Sequence, residues 1–140
     1  MKTYCLGFIF QADRLLLIRK NRPEWQRGRY NGVGGHVEEG ETPLDAMIRE
    51  TREESGFSIP TAHWRPVCAM KFNDCIVYVF SAQWSFWMTP HSPTDETLQE
   101  VDRIFLPPDC LPNLHWLVPM AWNRLTVDTD SPSPLISFVR

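Results

Sequence analysis

A chain of 140 residues, 43% hydrophobic and 22% charged, suffices for one domain with a buried core and is too short for several. Its formal net charge of −3 excludes a broad basic surface for duplex nucleic acid, and no apolar run approaches the ~18 residues of a membrane span. Cys5, Cys68, Cys75 and Cys110 lack metal-type spacing, and residues 1–14 lack the layout of a secretion signal, so reduced thiols in a cytoplasmic protein are expected.

Residues 4–11 and 14–20 are apolar, β-rich runs around an Ala-Asp turn, and they predict a hairpin. Leu6, Phe8 and Phe10 share one face of its first strand, which either packs in the core or lines a pocket for a flat ring. Residues 21–30 (NRPEWQRGRY) are polar and broken by Pro and Gly, and read as a loop. Arg19, Lys20, Arg22, Arg27 and Arg29 make this region locally basic in an acidic chain, a charge suited either to solvent or to phosphate contact. Asn31-Gly32-Val33-Gly34-Gly35-His36 follows, and its glycines allow backbone to approach backbone or ligand closely. Asn31 can cap a turn, or can read a purine edge with the donor and acceptor of one amide.

Thr42 as N-cap, Pro43 in the first position and Gly56 as a left-handed stop predict a helix of about three to four turns. Leu44, Met47, Ile48 and Thr51 are expected to face inward, and Glu50, Glu53 and Glu54 to share an arc well away from them. Carboxylates so close repel one another, and Arg49, four residues before Glu53, offsets part of this. The arc is either a solvated acidic face or a set of oxygen ligands for a hard divalent cation, which binds jointly with substrate phosphates.

Residues 58–66 read as a connector, and 67–72 with 75–84 as a second hairpin around Asn73-Asp74. Residues 85–97 are irregular, 98–106 hold one more strand, and 114–125 form a second helix after the breaks at Pro107-Pro108 and Pro112. Trp116, Met120 and Arg124 are spaced as one face of that helix, and Leu117 and Ala121 as another. The final residues, SPSPLISFVR, add an edge strand or stay loose.

Residues 35–57, GHVEEGETPLDAMIRETREESGF, resemble the Nudix box, G-x5-E-x7-R-E-U-x-E-E-x-G-U with U apolar. Gly35, Glu41, Arg49, Glu50, Glu53, Glu54, Gly56 and Phe57 stand in register, and Thr51 departs from the apolar residue usual there. The resemblance implies an α/β fold, an α/β/α sandwich with a mixed sheet between helices, as a single domain over 1–140. It implies hydrolysis of a small-molecule nucleotide in which a nucleoside diphosphate is linked to another group. Mg²⁺ or Mn²⁺ would be held by Glu50, Glu53 and Glu54 with Gly35. Arg49 would orient the acids, and Glu41 would support the helix. The base is a box glutamate or a later acid, Glu96 or Glu100, and the spacing to Phe105 favours Glu100.

The stretch GRYNGVGGHVEEGET is similar to that of Nudix enzymes that clear oxidised purine nucleoside triphosphates, whose Asn contacts the base; Asn31 matches it. A purine nucleoside triphosphate cleaved to monophosphate and pyrophosphate is therefore expected. Asn31, Phe8, Phe72 and Trp116 would hold the base and Arg29 the phosphates. A nucleotide sugar, dinucleotide or capped substrate is the alternative. A non-catalytic nucleotide sensor is a third reading, against which the complete acid set argues.

Overall fold

The computed structural model describes residues 1–85, 92–127 and 130–138. Its strands are β1 (Lys2–Gln11), β2 (Arg14–Arg19), β3 (Tyr30–Asn31), β4 (Val33–His36), β5 (Trp64–Lys71), β6 (Cys75–Gln83), β7 (Thr97–Asp102) and β8 (Leu135–Ser137). The helices are α1 (Pro43–Ser55) and α2 (Leu114–Thr126), with short 3-10 turns at Glu24–Gln26 and Thr61–His63. Among the described residues no helix is long and apolar enough to cross a membrane.

All the strands join one mixed sheet in which β1 is central. β1 runs parallel to β6, from Lys2 opposite Cys75 to Phe10 opposite Gln83. Its other edge is shared: β2 pairs with residues Ile9 to Gln11, and β4 with Tyr4 to Gly7. β2 carries β7 and, at its far end, β3. On the other side β6 pairs antiparallel with β5, which carries β8 as a short parallel edge. A parallel pair needs a long crossover, and here the connection from β1 to β6 includes α1.

The two helices cover opposite faces. Leu6, Phe8 and Phe10 of β1 pack with Leu15, Leu17, Met70 and Val79 beneath Leu114, Leu117, Val118 and Ala121 of α2. Cys5 and Ile9 turn the other way and meet Leu16, Ile18 and Phe80 beneath Ala46 and Met47 of α1. A strand covered on both faces reads as a continuous apolar run, so β1 carries no alternation to say which face meets which helix. The layering is the α/β/α sandwich expected from the sequence.

Both ends of α1 form as expected. Thr42 Oγ1 accepts from the Asp45 N–H at 3.1 Å while Asp45 Oδ2 accepts from the Thr42 N–H at 3.3 Å. Gly56 stops the helix at φ 82°, its N–H donating to the Arg52 carbonyl at 2.9 Å. The inward face differs from expectation. Ala46, Met47, Thr51, Glu54 and Ser55 are buried, whereas Leu44 and Ile48 are only half-buried. Glu54 follows Met47 by seven residues, about 20° short of two full turns, so it lies on the buried stripe and not well away from it. Thr51 is fully buried, and its hydroxyl donates to the Met47 carbonyl at 2.8 Å.

Other boundaries shift for local reasons. β5 starts at Trp64, inside the expected connector, because Trp64, Arg65 and Pro66 pair with Ala82, Ser81 and Phe80. A register shift between Pro66 and Cys68 accommodates the proline, which has no N–H for the ladder. β7 ends at Asp102, whose Oδ1 accepts from the Ile104 N–H at 2.9 Å and whose carbonyl accepts from Phe105 at 3.2 Å. That turn leaves Phe105 77% exposed. Part of the expected irregular stretch, residues 86–91, lies outside the described residues. The last segment takes the edge-strand option as β8. The four cysteines are free, and burial pushes the thiols of Cys5 and Cys68 up to about 12 and about 11, far from the reactive thiolate.

Thr51 already has its hydroxyl hydrogen spent inside the helix, so an isosteric apolar residue loses little. Thr51→Val is expected to change stability by less than about 1 kcal/mol. Thermal unfolding checks this; a fall of more than about 8 °C would show instead that the hydroxyl anchors α1.

Candidate active site

The carboxylates of α1 meet the glycine strand β4 and the loop that precedes the helix. Arg49 is the centre of this junction. Its Nε and Nη2 donate to Glu41 Oε2 and Oε1 at 2.8 and 2.9 Å, a bidentate pair. Its Nη1 donates to Glu50 Oε1 at 2.9 Å and to Glu53 Oε2 at 3.2 Å. Nη2 also reaches the His36 carbonyl of β4 at 2.9 Å. Glu41 is held from behind by the Glu38 N–H at 2.9 Å. The guanidinium beside it, with that N–H, draws the Glu41 carboxyl down to about 2.

The three helix acids have three different surroundings. Glu53 is 54% exposed at the mouth. Glu50 is mostly buried and lies against Gly35, where a Cβ would come within 2.6 Å of the carboxylate carbon. Only glycine leaves room there. Burial pushes the Glu50 carboxyl up, against the pull of Arg49. Glu54 has its side chain 8% exposed; Oε1 accepts from the Gly34 N–H at 2.7 Å and Oε2 from Lys20 Nζ at 3.1 Å. Burial raises its carboxyl to about 7 even with Lys20 alongside.

Lys20 ties the helix to a second acid. Its Nζ lies 3.5 Å from Glu96 Oε1, and Glu96 Oε2 accepts from the Asn21 N–H at 2.6 Å. The loop acid beside the box is therefore Glu96. Glu100, expected in that place, pairs instead with Arg14 at 3.3 Å. The β2–β7 register explains this. Thr97 stands opposite Arg19 and Glu100 opposite Leu16, so only the residue just before β7 comes level with Lys20. The spacing to Phe105 was no guide, because Phe105 lies in the turn beyond the strand.

The remaining candidates are spread out. Asn31 Oδ1 accepts from the Gly32 N–H at 2.8 Å and its Nδ2 donates to Gln26 Oε1 at 3.2 Å. Phe8 is wholly buried in the core under α2, so its role in this structure is packing and not contact with a ligand. It still bears on the glycine strand, since a Cβ on Gly32 would stand 3.1 Å from its ring. Arg29 is exposed, with its backbone bonded to Lys20 and Gln26. The other arginines of the basic loop are engaged locally: Arg19 with Asp109 at 2.7 Å, Arg22 with Asp95 at 3.2 Å, and Arg27 with Glu24 at 3.7 Å. Phe72 stacks on Phe138, which sequence reading did not single out, and Trp116 stands 6.3 Å from the same ring. Lys20 was legible only as one cation of a basic loop, since its two partners lie 34 and 76 residues further on.

The donor set suits a hard cation. Glu50, Glu53, Glu54 and the Gly35 carbonyl offer oxygen only. Glu41, Glu50, Glu53, Glu54 and Glu96 outnumber Arg49 and Lys20, the cations that touch them. The carboxyls of Glu50 and Glu54 are raised chiefly by burial, against the pull of Arg49 and Lys20. Among the described residues no three side chains of ligand type already converge on one point.

The family model for the NUDIX domain matches residues 4–122, and the chain belongs to the Nudix family. It is 47% identical over 62 residues to the oxidized purine nucleoside triphosphate hydrolase of Mus musculus, and 42% identical over 62 residues to that of Danio rerio. Each match takes in 44% of this chain and 39% of the relative, so the aligned part spans about two fifths of those proteins. The fold is similar to a MutT NUDIX hydrolase from Burkholderia pseudomallei, with TM-score 0.72, 21% identity, and coverage of 85% of this chain and 96% of that one. It is also similar to a bifunctional NMN adenylyltransferase/ADP ribose pyrophosphatase from Francisella tularensis, with TM-score 0.67, 14% identity, and coverage of 89% and 42%. At these identities the structures share the fold.

Glu41 supplies a test of the Arg49 junction. Its folded carboxyl is depressed from 4.5 to about 2, so its contribution is fully present above pH 4.5 and is lost as pH falls towards 2. Wild type is expected to melt above Glu41→Gln by a constant margin at pH 5–8. The margin should close between pH about 4.5 and 2. Melting curves across this range check it, and a margin that persists at the acid end would mean that Glu41 acts by packing alone.

Proposed function

We propose that this chain is a divalent-metal-dependent hydrolase of purine nucleoside triphosphates, oxidised purines among them, releasing a nucleoside monophosphate and pyrophosphate. The observation that carries this is the excess of carboxylates fixed around Arg49 and Lys20 beside the glycine strand. The names of the mouse and zebrafish relatives support the choice of substrate class. The free cysteines, of which Cys5, Cys68 and Cys110 are buried, fit a reducing, cytoplasmic setting.

Glu50, Glu53 and Glu54, with the Gly35 carbonyl, would hold Mg²⁺ or Mn²⁺, which when bound neutralises phosphoryl charge and acidifies an attacking water. Arg49 holds Glu50 and Glu53 in a fixed relation to β4. Glu54 is immobilised by Gly34 and Lys20. Both oxygens of Glu96 are engaged, so it positions Lys20. Glu53, the most open of the helix acids, is left to take the proton of the attacking water. Positioning of this kind carries most of the work in phosphoryl transfer. Asn31 reads the base edge, Phe72 and Trp116 flank the ring, and Arg29 meets the phosphates from the loop.

Glu53→Gln and Glu54→Gln are each expected to lower kcat at least about 10²-fold with the fold intact. EDTA should abolish turnover. Glu96→Gln should cost more than Glu100→Gln. Pyrophosphate release measured across the four variants checks the set; full activity in EDTA would remove the metal reading.

Asn31→Ala leaves the acids untouched, so it should raise KM for the preferred purine more than it lowers kcat. The loss is expected to be about 1–3 kcal/mol in kcat/KM for that base. The comparison is kcat/KM for 8-oxo-dGTP, dGTP, dATP and dCTP in both proteins. An equal fall for all four would make Asn31 a turn residue only. Cleavage of a nucleotide sugar or dinucleotide, with no triphosphate cleaved, would replace the substrate class.

A further inference from the structure

Lys20 stands where three distant parts of the chain converge. It directly follows β2, Glu54 lies in the last turn of α1, and Glu96 directly precedes β7. The Lys20 ammonium is 3.1 Å from Glu54 Oε2 and 3.5 Å from Glu96 Oε1. The three side chains are 12, 8 and 7% exposed, so their charges are met by one another more than by solvent.

Backbone fixes the far oxygen of each carboxylate. Glu54 Oε1 accepts from the Gly34 N–H at 2.7 Å, and Glu96 Oε2 from the Asn21 N–H at 2.6 Å. The remaining oxygens turn to one point, which the ammonium fills. That point adjoins the candidate metal ligands, since Glu50 lies against Gly35, the next residue after Gly34.

A lysine can move in such a place. Its charge is compact, its stem is flexible and its three donors rotate, so it can release one carboxylate and keep another. Arg49 differs, because its bidentate bond to Glu41 fixes the plane of the guanidinium.

We propose that Lys20 is a built-in counter-cation that competes with the divalent metal for Glu54. It holds Glu54 and Glu96 together when no metal is bound. It turns away from Glu54, staying by Glu96, when metal takes the Glu54 oxygen. This rests on the reading of Glu54 as a metal ligand. Apparent metal affinity then falls by the fraction of molecules in which Lys20 holds Glu54. Lys20 is thus a positioning residue that keeps the buried acids paired until metal and substrate phosphates arrive together.

Mn²⁺ binding to nucleotide-free protein is measured by electron paramagnetic resonance in wild type, Lys20→Met and Arg22→Met. Arg22 pairs with Asp95 in the same loop, so its substitution removes an equal charge without touching Glu54. Lys20→Met should tighten Mn²⁺ about tenfold, as follows if Lys20 holds Glu54 in roughly nine molecules of ten. Arg22→Met should change it less than about twofold, because its exposed charge is screened. In EDTA, Lys20→Met should melt below wild type, and saturating Mn²⁺ should narrow the gap. Crystals of wild type grown with EDTA and with Mn²⁺ need no variant to fold. In the Mn²⁺ form, Lys20 Nζ should stand beyond hydrogen-bond distance of Glu54 Oε2. Unchanged or weaker Mn²⁺ binding in Lys20→Met, or Mn²⁺ on the helix acids with Lys20 still bonded to Glu54, would overturn the competition and make Lys20 a fixed strut. The metal reading would survive that result. If neither wild type nor Lys20→Met binds Mn²⁺, the metal reading falls and this inference with it.

Discussion

The fork of hydrogen bonds on Arg49 is the constraint on which the rest of the site depends. One planar guanidinium joins the loop at Glu41, the strand at the His36 carbonyl, and the helix acids Glu50 and Glu53. Its donors lie in a fixed plane, so satisfying Glu41 in bidentate fashion also sets where the remaining nitrogens point. A lysine could meet one of these partners as a point charge but could not hold them at fixed angles. The capping box at Thr42 and the close approach of Glu50 to Gly35 serve the same end, since both fix how α1 lies on β4.

Around that junction the fold gathers more negative charge than its own cations neutralise. Burying Glu54 is costly, and its raised carboxyl records the cost. The arrangement persists because Lys20 and the Gly34 N–H share the load. Lys20 in turn is held by Glu96, so the box helix, the end of β2 and the approach to β7 form one ionic network. Removing Lys20 would leave the buried carboxylates of Glu54 and Glu96 without their shared cation, which costs more than the pairs contribute. This couples the geometry of the helix acids to residues far from them in the chain.

The sheet supplies rigidity beneath both features. β1 is hydrogen-bonded to β2, β4 and β6 and is covered on both faces. The glycine strand therefore rests on the least deformable part of the molecule, with Phe8 directly under Gly32. On the α2 side the sheet ends in a lighter construction, where β8 adds a three-residue edge and brings Phe138 onto Phe72. Charge chemistry is thus placed on the rigid half, and aromatic contact on a rim held by few bonds.

Local patterns in the sequence determined the helix α1, its two caps, both hairpins and the identity of the box acids, because each depends on residues only a few positions apart. The same patterns misplaced Glu54, although helical periodicity puts it only about 20° short of two turns from Met47, on the buried stripe. What only the tertiary structure decided were relations between strands distant in the chain. Glu96 and not Glu100 stands by the box because the β2–β7 register brings Thr97 opposite Arg19. Phe8 is core and not pocket because α2 covers its face of the sheet, and a strand buried on both faces carries no alternation that reveals this. Phe138 meets Phe72 because β8 adds in parallel to β5, a pairing set by the free edge of the assembled sheet and by no neighbour in sequence.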